Sequence, residues 1–459
     1  MGKILDAKNV YMVGIKGTGM TPVAQILQSM KKNISGSDVK EKFFTDAVLI
    51  KHKIKFYKGF AIKNIPESID LVIHSSAYDE KNNIEMAEIK KRNIFTMTQA
   101  EALAELFNAK KGIAVCGSHG KTTTSALLGF VLNEIGLKPT VEVGSAVPQF
   151  KGNAIIGKGD LMVIEADEYQ NKLKLYNPYG VLLNNIDYDH PDFFKTRTSY
   201  SRVFRELVQK LPKSGFVIAN MDDRNVVNAV KNCKCKVISY GKYQESTIFN
   251  IKYSILNIKD GYQYFTVWSD KKLLGEFKMK LIGEHNIQNA TAVIATALEL
   301  KMPIVKIKKA LAKFKGTARR MEILGKYKDA LFIDDYAHHP AEIKATLKAV
   351  RQKYVDHRII CIFMPHMFSR TKALLNDFSH SFSDADEIFI LPTYSSAREN
   401  KLYEISEDLV KKIGENAKYI SSIKQCALYL KKFVKENDVV ILMGAGDTFR
   451  VWDELKITK

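Results

Sequence analysis

Short, largely apolar runs alternate along this chain with longer amphipathic stretches. Asn9–Gly14, Leu71–His74, Gly112–Cys116, Leu161–Ile164, Val181–Leu183, Leu331–Ile333 and Ile359–Phe363 have strand length and little polar character, as strands buried on both faces do. The stretches between them carry apolar positions at helical spacing. The alternation predicts an α/β fold of parallel, doubly wound sheets. One segment departs from it. Phe249–Lys280 alternates with a period of two (Ile251, Tyr253, Ile255, then Tyr262, Tyr264, Thr266, Trp268), which predicts an antiparallel meander. No internal repeat and no low-complexity tract interrupts the pattern.

At 459 residues the chain is long enough for about three domains. The pattern divides it into 1–108, opening on a glycine-rich turn, 109–315, opening on a second one and containing the meander, and 316–459. Hydrophobic residues make up 46% and charged residues 26%, the balance of a soluble globular protein. No apolar run reaches the roughly 18 residues of a membrane span. Met1–Val13 runs directly into a strand-like segment without a secretory signal. Five scattered cysteines, an odd number, point to a reducing cytoplasm. Cys233 and Cys235 are expected to be two free thiols in a strand. The net charge of +20 comes from lysines spread along the whole chain. No basic block with interleaved aromatics stands out, so no nucleic-acid partner is expected, and phosphorylated substrates account for part of the excess.

The strongest chemical signal is Val115-Cys-Gly117-Ser118-His119-Gly120-Lys121-Thr122-Thr123-Thr124, an apolar strand running through a glycine turn into a helix. Backbone N–H groups at such a turn close around phosphate oxygens, Lys121 reaches the outer phosphates, and the Thr122 hydroxyl suits Mg²⁺. The general phosphate-loop spacing has a glycine where this chain has Val115. Glu165-Ala-Asp167-Glu168 follows the strand Leu161–Ile164, and Asp187-Tyr-Asp189-His190 follows Val181–Leu183. Acids and a histidine at neighbouring C-terminal strand ends can complete a metal site beside the loop. Gly14-Ile-Lys-Gly17-Thr18-Gly19 places backbone donors where they suit a diphosphate, and Gly36-Ser37-Asp38, about 20 residues on, suits a ribose or uracil. Asp334-Asp335-Tyr336-Ala-His338-His339-Pro340 and Pro365-His-Met367-Phe-Ser-Arg370-Thr371 stand at two further strand ends, below a paired Arg319-Arg320 suited to phosphate. The two histidines before Pro340 read as helix-entry residues.

The order of these motifs, with Ser75-Ser76-Ala77 and His285-Asn-Ile-Gln-Asn289, resembles the Mur ligase family over essentially the whole chain. The resemblance implies three domains: an N-terminal Rossmann-like UDP-binding domain (1–108), a central P-loop ATPase-like α/β domain with an antiparallel insert (109–315), and a C-terminal Rossmann-like domain for amino acid and nucleotide (316–459). It implies a cytoplasmic, ATP- and Mg²⁺-dependent ligase of peptidoglycan precursor synthesis, which makes an acyl phosphate that an amine then attacks. It assigns Gly117, Ser118, His119, Gly120, Lys121, Thr122, Thr123, Asn289, Arg320 and Asp335 to ATP, and Thr122, Glu165 and His190 to the metal. Gly14, Gly17, Thr18, Gly19, Ser37, Asp38, Ser75 and Ser76 go to the UDP substrate. Lys121, Glu165, His190, His338 and Arg370 are the expected catalytic set.

Within the family, the third-domain motifs resemble those of the member that adds L-alanine to UDP-N-acetylmuramate. Tyr336, His338 and Arg370 then line the alanine pocket, with Arg370 gripping the carboxylate. That member usually has an arginine at the place of Met367. Glu165-Ala-Asp-Glu168-Tyr169 instead resembles the member that joins a tripeptide to UDP-N-acetylmuramate, which is the alternative acceptor. Some relatives carry a carbamylated lysine near the second metal, and Lys195 is the lysine nearest after His190. A homodimer is compatible with the family. A nucleotide-binding regulator or basic nucleic-acid-associated ATPase is the remote alternative, which the third-domain motifs disfavour. A folate-type ligase is disfavoured by the Gly14–Gly19 turn.

Overall fold

The computed structural model describes residues 3–242, 250–270, 272–395 and 404–457. It is built on three sheets. β1 (Asn9–Val13), β2 (Asn33–Asp38), β3 (Lys55–Lys58), β4 (Leu71–His74) and β5 (Thr96–Thr98) form a parallel sheet in the order β3-β2-β1-β4-β5. The short helix Lys3–Asp6 precedes β1 where the sequence suggests a strand-like start, and it buries Ile4 completely.

The central sheet has ten strands: β6 (Lys111–Cys116), β7 (Thr140–Val147), β8 (Gly152–Ile155), β9 (Leu161–Glu165), β10 (Gly180–Leu183), β11 (Phe216–Asn220), β12 (Lys236–Lys242), β13 (Ile251–Lys259), β14 (Tyr262–Ser269) and β15 (Lys272–Met279). Its order is β15-β14-β13-β12-β11-β10-β6-β9-β7-β8, parallel from β13 to β7. The expected meander is β13–β15, hydrogen-bonded antiparallel and continuous with the parallel sheet through β12. Phe249, its expected first residue, lies outside the described residues. On β14 the buried set is Gln263, Phe265 and Val267, so the aromatic series beginning at Tyr262 faces outward. Cys233 and Cys235 are free, as expected, but stand in the turn before β12, not in a strand.

The third sheet holds β16 (Glu322–Tyr327), β17 (Ala330–Asp335), β18 (Ile359–Phe363), β19 (Glu387–Ile390), β20 (Ala417–Tyr419) and β21 (Val439–Met443) in the order β16-β17-β21-β18-β19-β20. All its pairs are parallel except β16–β17. Apolar residues such as Ile333, Cys361 and Ile441 pack on one face, and Phe332, Ile362 and Leu442 on the other. The first two sheets share an apolar core in which the Phe107 ring meets Tyr176 edge-on at 5.3 Å. The third sheet meets the central one through polar contacts at strand ends, and those ends carry the chemistry.

Candidate active site

β6, β9 and β10 are adjacent in the central sheet, so their C-terminal ends lie side by side. The loop 117–120 leaves β6 and enters the helix Lys121–Glu134. Asn185, just past β10, pins it: the Ser118 N–H donates to the Asn185 carbonyl (3.2 Å), the His119 N–H to Asn185 Oδ1 (2.8 Å), and Asn185 Nδ2 to the His119 carbonyl (3.1 Å). Gly120 has φ +77°, and a Cβ there would stand 2.7 Å from Asn289 Oδ1. A larger residue would therefore be strained twice over. Lys121 Nζ donates to the carbonyls of Gly117 (2.6 Å) and Ser118 (3.1 Å) and to Glu168 Oε2 (2.9 Å). Burial opposes its charge, but Glu168, Asp167 and Glu165 together outweigh burial and hold the pKa above the ordinary lysine value.

The acids and the histidine expected at a metal form two groups. Thr122 Oγ1 donates to Glu165 Oε1 (2.7 Å), whose Oε2 accepts the Gly144 N–H (2.7 Å). Asp167, Glu168 and His190 present ligand atoms that all lie within 4.8 Å of one another. His190 Nε2 is 3.7 Å from Glu168 Oε1, and its Nδ1 is buried without a partner. This oxygen-rich set, with the imidazole nitrogen Nε2 turned toward it, fits a hard divalent cation. Lys195 donates to the carbonyls of Asp192 (2.7 Å) and Pro191 (3.5 Å) in its own exposed turn, apart from this group.

Two cavities of about 420 Å³ each open here. The first is lined by Gly120, Thr123, His285, Asn289, Arg320 and Asp335. Burial pushes His285 down to about 4, so it is neutral there. Asp335 accepts the N–H groups of Met321 (2.8 Å) and Ala337 (2.9 Å), which fixes it at the end of β17. Of the paired arginines, Arg319 is engaged with Asp334 (3.0 Å) and the carbonyls of Gly444 (2.8 Å) and Gly446 (3.0 Å). Arg320 lines both cavities.

The second cavity draws on all three sheets: Thr18 and Phe44 from the first, Lys121, Thr122, Glu165 and His190 from the second, Tyr336 and His338 from the third. His338 Nδ1 contacts the Tyr336 carbonyl at 3.0 Å, which makes Nε2 the acceptor nitrogen. Burial drives His338 down to about 3 against the pull of Glu342. Arg370 differs from expectation. It is 3% exposed, off the cavity wall, and its fork grips Asp189 through Nε (2.9 Å) and Nη2 (3.2 Å). A buried guanidinium needs a partner, and the carboxylate just past β10 supplies one, so Arg370 ties the third sheet to the central one. Met367 is also buried, in the left-handed turn before Arg370 (φ +72°). Tyr169 lies behind His190, ring to ring at 4.8 Å, with its hydroxyl on Asp192 (2.9 Å).

In the first domain, Thr18 reaches the cavity, and its carbonyl accepts from Asn153 (2.6 Å). Ser37 and Asp38 face inward. Ser37 donates to the buried Glu85, and Asp38 accepts the Lys16 N–H (2.7 Å), so both brace the glycine turn. Ser75 and Ser76 follow β4, next to Gly14. His339 behaves as a helix-entry residue, accepting the Ala341 N–H (3.3 Å).

Two residues at the site carried no sequence signal. Tyr200 is 1% exposed, and its hydroxyl joins Ser118 Oγ (2.7 Å) to Glu168 Oε1 (3.0 Å). Glu342 contacts His119 Nδ1 (3.3 Å), and Asp187 contacts its Nε2 (3.3 Å). Burial opposes protonation of His119, but these two carboxylates push it up to about 9. Each residue lies in the first turn of its helix, Tyr200 in Arg197–Gln209 and Glu342 in Pro340–Lys353, and its role exists only across a tertiary contact.

Family profiles match nearly the whole chain: "Mur ligase family, catalytic domain" over residues 9–111, "Mur ligase middle domain" over 115–297, and "Mur ligase, glutamate ligase domain" over 319–446. The chain is 40% identical to a UDP-N-acetylmuramate–L-alanine ligase of Desulfitobacterium hafniense, over 97% of this chain and 99% of that one. It is 38% identical to a protein of the same name from Clostridium kluyveri, over 97% of each. The crystal structure of the UDP-N-acetylmuramate-alanine ligase of Thermotoga maritima superposes with a TM-score of 0.80 at 25% identity, over 98% of this chain and all of that one.

Proposed function

The chain belongs to the Mur ligase family, and from that premise we propose that it joins L-alanine to the carboxylate of UDP-N-acetylmuramate, using ATP and releasing ADP and phosphate, in peptidoglycan precursor synthesis. The observation that carries this is the second cavity, where the phosphate loop, the metal-fitting acids and the third sheet's Tyr336 and His338 converge. A carboxylate is a poor electrophile, and phosphorylation gives it a leaving group. Adenine and ribose sit in the first cavity against Asn289 and Asp335. The phosphates cross Gly120 to Lys121, whose ammonium stabilises charge on the transferring group. Arg320, present in both cavities, holds the phosphate from the opposite side. Mg²⁺, held by Thr122, Glu165, Glu168 and His190, would neutralise phosphate charge. The UDP group lies over the Gly14–Gly19 turn, and the acyl phosphate faces Tyr336 and His338. His338, neutral with Nε2 free to accept, orients the incoming amine.

The names and extent of the relatives support alanine as acceptor, and Tyr169, the feature favouring a tripeptide, lies behind His190 and off the cavity wall. A nucleotide-binding regulator has no use for this convergence. The setting is the cytoplasm, where both nucleotide substrates reside, and no helix among the described residues is long and apolar enough to cross a membrane. Phosphate release is the test, with UDP-N-acetylmuramate, ATP and either L-alanine, glycine, L-serine or the tripeptide. Alanine should give the highest kcat/KM. Turnover with the tripeptide alone replaces the assignment by the joining of a tripeptide to UDP-N-acetylmuramate.

A further inference from the structure

Behind the phosphate loop lies a third cavity, of about 350 Å³, that the ligase chemistry does not use. It is walled by the helices Arg197–Gln209 and Arg224–Val230. Three arginines line it, Arg197, Arg202 and Arg205, and no carboxylate does. Arg197, Ser201 and Arg205 follow one another at intervals of four and share a helix face, about 12 Å from end to end. Arg197 stacks on the Tyr188 ring at 5.5 Å, which orients its guanidinium. Arg202 has a loose partner outside the cavity, Glu206 at 3.5 Å, and Arg205 makes no ion pair among the described residues. Three permanent charges on a concave wall repel one another unless an anion sits among them.

The cavity also touches the nucleotide machinery at two points. Ile186 and Asn225 line both it and the first cavity, joined by a hydrogen bond from Asn225 Nδ2 to the Ile186 carbonyl (2.8 Å). Tyr200 lines its inner wall and bonds Ser118 of the phosphate loop and Glu168, which holds Lys121. We propose that this cavity is a second anion site, taking a small diphosphate-class anion, and that its occupancy alters nucleotide affinity through Tyr200 and Asn225. Arginine forks suit phosphate oxygens, and two or three together bracket a diphosphate. An anion drawing Arg205 and Arg197 inward changes the packing around Tyr200 and thereby the position of the Ser118 turn. The coupling is reciprocal, so bound nucleotide shifts anion affinity by the same factor.

Calorimetric titration of inorganic pyrophosphate into the full chain, saturated with a non-hydrolysable ATP analogue and excess Mg²⁺, tests this without any turnover. The wild type should bind pyrophosphate, and the Arg197→Gln/Arg205→Gln double variant at least tenfold more weakly. Both residues are exposed, so the variant should keep its circular dichroism and melting temperature. Titrating the analogue with and without pyrophosphate should show a shift of about threefold or more in wild type and none in the Tyr200→Phe variant, which still binds pyrophosphate. No pyrophosphate binding, or binding undiminished in the double variant, overturns the site. Citrate binding as tightly as pyrophosphate overturns the phosphate class. Pyrophosphate binding with no shift in analogue affinity overturns the coupling.

Discussion

Two glycine turns in this protein share a plan and differ in use. Gly14–Gly19 and Gly117–Gly120 each leave a central parallel strand and enter a helix, the first carrying Lys16 within the turn and the second followed at once by Lys121. In the first turn the N–H groups of Gly14 and Ile15 go to the Ser37 carbonyl, that of Lys16 to Asp38, and that of Gly17 to the Gly14 carbonyl. Lys16 is buried, bonded to the Glu41 carbonyl, 3.8 Å from Asp46 and beneath the Phe43 ring. In the second turn Asn185 does the holding, and Lys121 Nζ stands at the cavity wall. Both glycine signatures announce a close turn. Where the lysine goes depends on which carboxylate lies near it. Both carboxylates are buried, but Asp46 lies within the first domain, whereas Glu168 is grouped with Asp167 and His190, which line the second cavity.

The largest expected effect is on Lys121. Lys121→Ala should lower kcat by about a thousandfold or more in protein that is still folded at the assay temperature, because charge on the transferring phosphoryl loses its partner. Activity within a few-fold of wild type would remove the functional contrast between the two lysines. Lys16→Ala should do the reverse. Chemical denaturation should show a loss of about 2–4 kcal/mol as Asp46 loses its buried cation, with kcat within a few-fold well below the melting temperature. An enzyme as stable as wild type but inactive would show that the first turn also uses its lysine on substrate.

Arg370→Lys asks whether a third-domain cation behaves like Lys16 or like Lys121. Loss of the two-pronged bond to Asp189 is worth about 1.5–3 kcal/mol. It should raise the KM for alanine more than that for ATP, since Asp189 and His190 line the second cavity beside Tyr336 and His338. If Asp189→Asn gives the same split, Arg370 is a positioning residue acting through Asp189. Glu165→Gln should raise the Mg²⁺ concentration for half-maximal activity about tenfold, by removing a charged ligand but not its bulk. An unchanged Mg²⁺ titration would exclude Glu165 from the metal.

The smallest effect is a pH dependence peculiar to the second turn. His119 is raised to about 9 by Asp187 and Glu342. A raised pKa contributes stability that is complete below the unfolded value, near 6.5, and is lost as pH rises through about 9. Thermal stability should therefore fall by about 1–2 kcal/mol across that window, and His119→Gln should flatten the fall. A wild-type curve as flat as the variant's would mean that this tie to the third domain carries no charge.

Much of this was legible in sequence. The apolar runs marked strands because strands buried on both faces need nothing else to be recognised, and β4 and β18 match their runs residue for residue. The phosphate loop was legible because glycine, lysine and threonine act there through their immediate backbone. The meander was legible by period, though not its inward face: both alternate sets on β14 mix polar with apolar or aromatic residues, and Phe265 and Val267 are buried because they pack into the central core. Ser37 and Asp38 looked like ligand contacts because they are polar at a strand end, but Glu85 and the Lys16 N–H claim them from elsewhere in the chain.

By itself, then, the sequence determined what depends on neighbours along the chain: the strand and helix alternation, the glycine-, acid- and histidine-bearing strand ends, and the family signature in their order. Tertiary structure alone decided partnerships. Arg370 meets Asp189 across 181 positions, Glu342 meets His119 across 223, and Tyr200 bridges Ser118 and Glu168 from the first turn of a helix. A buried charge or hydroxyl must be satisfied by whatever polar group folding brings within about 3 Å, and that choice is absent from local sequence because it is made only when distant strand ends meet.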